Sequence, residues 1–248
     1  MQTHVAQFRF YEELNIFLPK EKRKRAFNYE FKGNPGIKDP IEANGVPHTE
    51  VDLIVVNGES VGFDYQLQHG DRVAVYPVFE SFDISPIVKL RDKPLRRPAF
   101  VLDVHLGALA RMMRLLGFDV LYRNDLDDPE IVHISVYQNR IILTRDRRLL
   151  FAKVVTHGYW VRNTHPEKQI EEVLDRFDLR NQVHPFQRCT SCNGRVSRVE
   201  KSEILDRLEP KTIKYYHEFY RCEACDRIYW KGSHYERIIQ KIERFLPK

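Results

Sequence analysis

The alternation of apolar and polar residues in the first 80 residues predicts a small sheet with one helix. The segments AQFRFYEELNIFL (6–18), ended by Pro19, and HGDRVAVYPVF (69–79) each predict a strand. EVDLIVVNGESV (50–61) contains an apolar strand, an Asn57-Gly58 turn and a returning strand, which is typical of a β-hairpin. The stretch between residues 33 and 47 is rich in Gly and Pro and has room for one short helix, near Ile37 to Asn44.

From residue 99 onward the pattern changes to strands that alternate with amphipathic helices. The predicted strands are FVLDV (100–104), FDVLYR (118–123), RIILT (140–144) and HGYWVRN (157–163). The predicted helices are HLGALARMMRLLG (105–117), DPEIVHISVYQN (128–139) and PEKQIEEVLDRF (166–177). The first helix has an apolar stripe made of Leu106, Leu109, Ala110, Met113 and Leu116. Alternation of this kind predicts an α/β domain with a parallel sheet.

The length of the chain and the distribution of charge along it predict how the domains are arranged in the sequence. The 248 residues suggest two domains or more. Lys and Arg fall short of Asp and Glu by three in residues 1–92 but exceed them by eight in residues 93–248, which favours an anionic partner such as nucleic acid for the C-terminal part. Residues 85–98 hold three prolines and five basic residues and predict a linker. Neither a signal peptide nor a membrane-spanning run is evident, so we expect a cytoplasmic protein without a membrane partner.

Four carboxylates follow or flank the predicted strands of the second region. Asp103 ends the first strand, Asp125 follows the second, Asp146 ends the third, and Glu130 opens the helix between them. Because ligands of parallel sheets bind beyond the carboxyl ends of the strands, these acids could converge on one edge. Clustered carboxylates repel one another unless a cation such as Mg²⁺ or Mn²⁺ neutralises them.

A structural alternative exists for each of these acids. Asp128 and Asp146 suit helix N-caps, and Glu130 suits the positive end of a helix. Asp103 is harder to explain this way, because it stands inside an apolar stretch where a carboxylate is costly unless it is paired. The segment NDLDDPE also leaves the choice open between Asp125, Asp127, Asp128 and Glu130, and Asp119 lies close by.

All four cysteines lie in two CxxC pairs, CTSC (189–192) and CEAC (222–225), with 29 residues between them. This spacing is typical of a zinc ribbon, and Asn193-Gly194 suits the turn of the first pair. Two disulfides or free core thiols are the alternatives, and a reducing compartment disfavours the disulfides. Four thiolates close the coordination shell of zinc, so we predict that Cys189, Cys192, Cys222 and Cys225 hold a structural ion.

Aromatic and basic residues alternate around the second cysteine pair, from Lys211 to Tyr235. Such a mixture suits single-stranded RNA, because rings stack on bases and cations contact phosphates. We expect Tyr220 and Tyr229 in the small core of the ribbon itself. The predicted RNA contacts are two arginines outside the stripe of the first helix, three arginines around Asp146, and three residues of WKGSH (230–234): Arg111, Arg114, Arg145, Arg147, Arg148, Trp230, Lys231 and His234.

Two resemblances support this plan. LQHGDRVAVYPVF (67–79) looks like the last strand of β-grasp, ubiquitin-like sulfur carriers, but the chain continues into ESFDISP without their diglycine, so a docking module for RNA or a protein fits better. The sequence FVLDVHLGALARMMRLLGFDVLYRNDLDDPEI with RIILTRDRRLL resembles the Mut-seven C-terminal family of PIN-like ribonucleases. That resemblance implies catalytic acids at Asp103, Asp125, Glu130 and Asp146, and WKGSH is similar to a motif of the same family.

We therefore predict a metal-dependent ribonuclease built from three modules. A β-grasp α+β domain (1–84) and the linker (85–98) precede a PIN-like α/β domain (99–184), and a zinc ribbon with a C-terminal helix (185–248) follows. Structured RNA such as tRNA is the preferred substrate. The alternatives are a non-catalytic RNA- or ribosome-binding factor and a protein-interaction scaffold.

Overall fold

The computed structural model describes residues 2–77 and 98–246. The strands in these residues are β1 (Thr3–Phe10), β2 (Phe27–Lys32), β3 (Leu53–Val56), β4 (Glu59–Val61), β5 (Arg72–Tyr76), β6 (Ala99–Leu102), β7 (Asp119–Leu121), β8 (Ile141–Thr144), β9 (Gly158–Trp160), β10 (Val196–Val199), β11 (Phe219–Cys222) and β12 (Ile228–Trp230). The α-helices are α1 (Lys38–Ala43), α2 (Gly107–Leu115), α3 (Asp128–Gln138), α4 (Pro166–Arg176), α5 (Pro210–Tyr215) and α6 (Tyr235–Glu243).

Contacts within the chain define two compact units. The first combines Met1–Arg97 with Asp128–Trp160, and the second combines Pro98–Asp127 with Val161–Lys248. The predicted boundaries at residues 84, 98 and 184 stay predictions, and the predicted linker lies outside the described residues apart from its last residue, Pro98. Among the helices that the structure describes, none has both the length and the apolar character needed to span a membrane.

The N-terminal module is a five-stranded sheet in the order β2-β1-β5-β3-β4. The two strands β1 and β5 run parallel in the centre, and the remaining neighbours are antiparallel. Asn57 and Gly58 both have positive φ, as the tight turn between β3 and β4 requires. The buried residues Ile37 and Ile41, at the start of α1 and within it, pack with strand residues into one core. The predicted β-grasp fold is confirmed.

The predicted strand over residues 6–18 is only partly correct. β1 ends at Phe10, and residues Glu12–Phe17 form a 3₁₀ helix instead. The alternate residues of β1 turn their apolar side chains to the core, but from Leu14 to Phe17 the buried apolar positions are three apart. That spacing matches the three residues per turn of a 3₁₀ helix.

The rest of the first unit contains α3 and the parallel pair β8 and β9. All four residues of β8 are buried, which explains why the strand begins with three consecutive apolar residues instead of alternating apolar and polar ones. Two side chains of the N-terminal module reach this part of the unit. His48 Nε2 lies 2.7 Å from the carbonyl oxygen of Val155, and the Glu50 carboxylate accepts a hydrogen bond from the Trp160 amide at 2.7 Å.

The second unit contains the parallel pair β6 and β7, with α2 and α4 packed together. The apolar stripe predicted for the first helix is confirmed, since Leu109, Ala110 and Met113 are fully buried. Together with β8 and β9, these strands confirm the predicted α/β class with parallel pairing. Gly117, with φ +98°, ends α2 as predicted. A Cβ at Gly117 would lie 2.1 Å from the carbonyl oxygen of His184. Only glycine therefore allows the backbone at His184 to pack this close to the end of α2.

The ribbon is a three-stranded antiparallel sheet in the order β10-β11-β12. One face has a small core made of Val199, Ile204, Leu208 and Phe219. This core is too small to hold the segment together by itself, so the ribbon depends on a further constraint such as a bound metal.

Candidate metal centres and nucleic-acid interface

Asp103 stands directly after β6 and is only 5% exposed. It occupies the N-cap position of the 3₁₀ helix Val104–Leu106, yet its side chain makes no capping hydrogen bond. The capping alternative therefore does not explain this carboxylate. Asp103 is a buried carboxylate at the carboxyl end of a parallel strand, which is the place where ligands of parallel sheets bind.

Asp125 and Glu130 are both exposed. Asp125 follows β7 and forms an ion pair with Arg123, 3.0 Å between Oδ1 and Nε, with 70% of its side chain exposed. Glu130 is the third residue of α3 and lies in its first turn. Each carboxylate is accessible to a cation, and neither residue packs in the core. Asp103 and Asp125 belong to one compact unit, whereas Glu130 and Asp146 belong to the other.

Asp146 has the capping role that its position allows. Its Oδ1 accepts a hydrogen bond from the backbone amide of Arg148 at 2.9 Å, at the start of the 3₁₀ helix Arg147–Phe151. Its own amide donates to Thr144 Oγ1 at 2.8 Å, which fixes the turn after β8. Oδ2 accepts no hydrogen bond from any described residue. One carboxylate oxygen therefore caps the helix, and the other can still bind a cation.

The three arginines around Asp146 are in different environments. Arg148 has 93% of its side chain exposed, which suits a phosphate contact. Arg147 is half-buried, and its guanidinium lies 3.8 Å from the Trp160 ring centroid and 5.3 Å from that of Phe17. These cation–π contacts give Arg147 a packing role that the sequence did not indicate. The carbonyl of Arg145 accepts a hydrogen bond from the Trp160 indole at 3.3 Å.

The four cysteine sulfurs lie within 4.8 Å of one another, and none forms a disulfide. The closest pairs join the two CxxC segments: Cys192 to Cys222 at 3.4 Å and Cys189 to Cys225 at 3.6 Å. A tetrahedral ion with metal–sulfur bonds of about 2.3 Å separates its sulfurs by about 3.8 Å. The cluster therefore fits a four-coordinate metal ion, as the spacing predicted.

The surrounding groups favour a thiolate at Cys189, whereas burial raises the pKa of Cys192 to about 12 and also raises the pKa of Cys225. Backbone amides point at sulfur in both CxxC segments, for example Gly194 to Cys192 and Ala224 to Cys222, each at 3.4 Å. Burial raises the pKa of the Cys189 thiol, but hydrogen bonds from the Tyr229 hydroxyl and from backbone amides outweigh it and lower that pKa to about 6. Cys189 thus offers a deprotonated sulfur near neutral pH, which metal binding requires.

Gly194 allows the two CxxC segments to approach each other. A Cβ at this position would lie 2.7 Å from Cys222 Sγ and 2.7 Å from the Cβ of Ala224. Neither neighbour can move without displacing a metal ligand or its loop. The predicted Asn193-Gly194 turn is present, with Asn193 at φ +71°.

Comparison with known protein families identifies the family of this chain. A family model described as the Mut7-C RNAse domain matches residues 98–242, more than half of the chain. The chain belongs to the Mut7-C RNAse domain family. A second family model, Mut7-C ubiquitin, matches residues 3–83. Neither the curated proteins nor the solved structures contain a match to this chain. Both resemblances drawn from the sequence are confirmed.

Within the Mut7-C RNAse domain, the prediction of Arg114 as an RNA contact is wrong. Its side chain is on the buried side of α2 and only 3% exposed. The guanidinium donates to carbonyl oxygens on both sides, at 2.9 Å to Val120 and at 2.7 Å to Ser191 inside the CTSC segment. Arg114 therefore connects α2 and β7 to the first cysteine pair. Burial lowers the pKa of this guanidinium, but an arginine stays protonated at neutral pH.

Asp119, one of the alternative acids, also contributes to this connection. Its carboxylate accepts hydrogen bonds from Asn193 Nδ2 at 2.8 Å and Arg188 Nη2 at 3.1 Å. Asn193 in turn accepts from the Val120 amide at 2.9 Å. The residue after the first cysteine pair is thus held by the edge of the Mut7-C strand β7. These bonds give Asp119 a structural role.

Arg111 and Arg114 provide a matched pair on one helix. We expect Arg114→Ala to lower the free energy of unfolding by about 3 kcal/mol, because several buried carbonyls lose a charged donor. Arg111 is exposed, so Arg111→Ala should leave the melting temperature unchanged and weaken RNA binding. Thermal unfolding and the fluorescence anisotropy of a labelled RNA measure the two effects. An Arg114→Ala protein of normal stability with weaker RNA binding would contradict this assignment.

The ribbon residues predicted to bind RNA share one cavity. Trp230, Lys231 and His234 all line it, as do Tyr220 and Tyr229, which are not part of the ribbon core. The expectation that these two tyrosines pack in that core is wrong. Phe219 and Tyr220 are neighbours on a strand, so their side chains point to opposite faces, and the apolar Phe219 takes the core side.

Proposed function

We propose that the protein is a metal-dependent ribonuclease that hydrolyses phosphodiester bonds of structured RNA, with tRNA as the preferred class. Family membership supports the ribonuclease activity. The observation that carries the metal dependence is the position of Asp103, a carboxylate only 5% exposed that directly follows the parallel strand β6, where ligands of parallel sheets bind. The proposed ligands of Mg²⁺ or Mn²⁺ are Asp103, Asp125, Glu130 and Asp146.

Each of these residues has a distinct part in the proposal. Asp103 offers a carboxylate held in place by its buried surroundings. Asp146 offers Oδ2, since Oδ1 accepts the capping hydrogen bond from Arg148. Asp125 and Glu130 are exposed and can adjust to the ion and the substrate. When bound, a divalent ion supplies a water of lowered pKa and offsets the charge on the phosphate.

Three arginines, the exposed Arg111 and Arg148 and the half-buried Arg145, complete the proposed site. We assign phosphate contacts to Arg111, Arg145 and Arg148, because arginine pairs with phosphate oxygens in a bidentate geometry. Arg147 is left out, since its guanidinium already stacks on Trp160. Such contacts position the RNA backbone and carry no sequence information, which agrees with a substrate recognised by shape.

We further propose that the ion at the four cysteines is zinc and that it is structural. Four sulfurs at tetrahedral spacing leave no open position for a reacting water. The ribbon sheet has a core of only four buried apolar residues, so the ion would stabilise the fold of this segment.

A second candidate function is a non-catalytic RNA- or ribosome-binding factor. It is favoured by the capping bond of Asp146 and the ion pair of Asp125 with Arg123, both of which are ordinary structural roles. In that case the acids would serve the fold, and the basic surfaces would provide the function.

Removal of the divalent ion separates these two functions. End-labelled tRNA and an unpaired oligoribonucleotide are incubated with the full-length protein and Mg²⁺, Mn²⁺ or no added divalent ion. We expect cleavage only with Mg²⁺ or Mn²⁺, and faster cleavage of tRNA. Zn²⁺ alone serves as the control, since it should not support turnover. If the protein binds both RNAs tightly and cleaves neither in any sample, the binding-factor function replaces the nuclease.

A further inference from the structure

A cavity of about 960 Å³ lies beside the zinc ribbon, between the strands β10, β11 and β12, the start of α6, and the segment 185–188. We call it the ribbon pocket. Its size is at the upper end of the range found for small-molecule sites, about 300–1,000 Å³. All its lining residues belong to the second compact unit.

The lining of the ribbon pocket is aromatic and basic. Six aromatic side chains contribute to it: Phe186, Tyr216, Tyr220, Tyr229, Trp230 and Tyr235. Two arginines, a lysine and a histidine add positive charge, and no Asp or Glu is found among the described residues that line it. Basic groups without any acid among the described lining residues disfavour a cationic ligand, and they also disfavour a purely apolar one.

The sheet arranges part of this lining in a row. Arg198 on β10 pairs with Tyr220 on β11, and Tyr220 pairs with Tyr229 on β12. Side chains opposite each other in an antiparallel sheet lie on the same face, about 5 Å apart. A guanidinium therefore stands next to two consecutive rings, which matches the alternation of phosphate and base in a nucleotide.

The cations of the ribbon pocket differ in availability. Arg188 is occupied by Asp119 and by the carbonyl of Asn193. Lys231 pairs with the exposed Glu218 at 2.8 Å. The side chain of Arg198 is exposed and makes no hydrogen bond or ion pair with any described residue, although, after the larger effect of Lys231, its charge helps to lower the pKa of the exposed Glu218. Arg198 is thus the group best placed to bind an anion at the edge of the pocket.

The aromatic walls have fixed positions. The Tyr229 hydroxyl lies 3.0 Å from Cys189 Sγ, so its ring is held by the metal cluster. The rings of Tyr235 and Phe186 are 5.5 Å apart and tilted by 31°. Trp230 stays 41% exposed although it is large and apolar. Fixed, accessible rings provide surfaces on which a base can stack with little loss of conformational entropy.

We propose that the ribbon pocket binds one unpaired nucleotide of the RNA, with its base against the aromatic walls and its phosphate at Arg198. This proposal rests on RNA as the ligand of the proposed function, but it does not require cleavage. The pocket would select RNA that offers a single-stranded end or an unstacked base. In RNA recognition generally, such bases are the ones that aromatic side chains can reach.

The test measures binding of two fluorescein-labelled RNAs by anisotropy, without added Mg²⁺ or Mn²⁺ so that no turnover occurs. One is an unpaired octaribonucleotide and the other is a blunt hairpin without unpaired ends. The pocket variants are Arg198→Ala and Tyr235→Leu. Their matched controls are Arg195→Ala and Tyr215→Leu, since Arg195 and Tyr215 are exposed ribbon residues outside the pocket.

We expect each pocket variant to weaken binding of the unpaired RNA about tenfold, from the loss of one stacking or phosphate contact, with little effect on the hairpin. The controls should bind like wild type, and the zinc content of all variants should be equal. Equal binding by pocket variants and controls would overturn the proposal, and so would an equal loss for both RNAs. Binding of an acidic, aromatic peptide by a wild-type protein that binds neither RNA would assign the pocket to a protein partner and overturn it too.

Failure of the nuclease and failure of the pocket are distinguishable in this design. If the pocket variants selectively lose binding to unpaired RNA, the pocket proposal is supported even when no cleavage is observed. If these variants bind unpaired RNA like wild type and the protein still cleaves RNA with a divalent ion, the nuclease proposal is supported and the pocket proposal is refuted.

Discussion

Replacing Asp146 by asparagine is expected to abolish RNA cleavage while leaving the thermal stability of the protein unchanged. Asparagine caps a helix about as well as aspartate does, so the hydrogen bond from the Arg148 amide survives. The negative charge that would hold the divalent ion is lost. Mutation of a residue that only hydrogen-bonds to a metal ligand typically lowers metal affinity or activity about 10–100-fold. Removal of a ligand itself should therefore lower the cleavage rate at least about a hundredfold.

A second substitution at the same position separates the two roles of Asp146. Asp146→Ala removes both the charge and the cap, and should cost about 1 kcal/mol of stability in addition to activity. If only the cap mattered, Asp146→Asn would cleave RNA like wild type and Asp146→Ala would not. The measurement is the single-turnover rate on end-labelled tRNA with Mn²⁺, together with the melting temperature of each variant.

Asp103→Asn and a control acid extend this series. We expect Asp103→Asn to lose cleavage to the same extent, because Asp103 is a proposed ligand of the divalent ion at the carboxyl end of β6. Asp206→Asn changes an exposed acid of the ribbon and should keep wild-type activity. Full activity in both Asp103→Asn and Asp146→Asn would exclude the proposed metal site and favour the binding factor.

Cys222→Ser is expected to have the largest effect on stability. Cys222 is 1% exposed and lies 3.4 Å from the sulfur of Cys192, so a weaker ligand here opens the cluster. Structural zinc contributes on the order of 10 kcal/mol to small zinc domains, far more than the ribbon core can replace. We expect zinc content to fall from one equivalent per chain to a trace, and the ribbon to become sensitive to protease.

The matched control for this prediction is Ser191→Ala, in the same CxxC segment. The Ser191 side chain is exposed, and only its backbone carbonyl contributes to the contact with Arg114. This variant should retain zinc and protease resistance. Wild-type protein without zinc whose thiols react only after reduction would show disulfides instead. Full zinc content in Cys222→Ser would contradict the four-thiolate site.

The consequence of Cys222→Ser should extend beyond the ribbon itself. The carbonyl of Ser191, between the two cysteines of the first pair, accepts a hydrogen bond from Arg114, and Asn193 Oδ1 accepts one from the Val120 amide of β7. We therefore expect the melting transition of the second compact unit to shift as a whole. This coupling distinguishes the ribbon from an independent domain joined by a linker.

The sequence by itself determined the features that depend on local spacing. Two CxxC pairs predicted the metal cluster, because the ligand geometry is set within each four-residue segment. The Asn57-Gly58 pair predicted its turn, and strand–helix alternation predicted the parallel pairs, because backbone preference and the apolar period act over a few residues. The family resemblance rests on the same continuous segments.

Only the tertiary structure decided the roles of side chains whose partners are distant in the chain. Arg114 donates to a carbonyl 77 residues away, and no local pattern distinguishes it from the exposed Arg111. Arg147 stacks on Trp160. Tyr220 lies outside the ribbon core, in the lining of a pocket to which α6 also contributes. A long polar side chain can reach solvent or bury its head group among carbonyls, and which of these occurs depends on the packing of the elements around it.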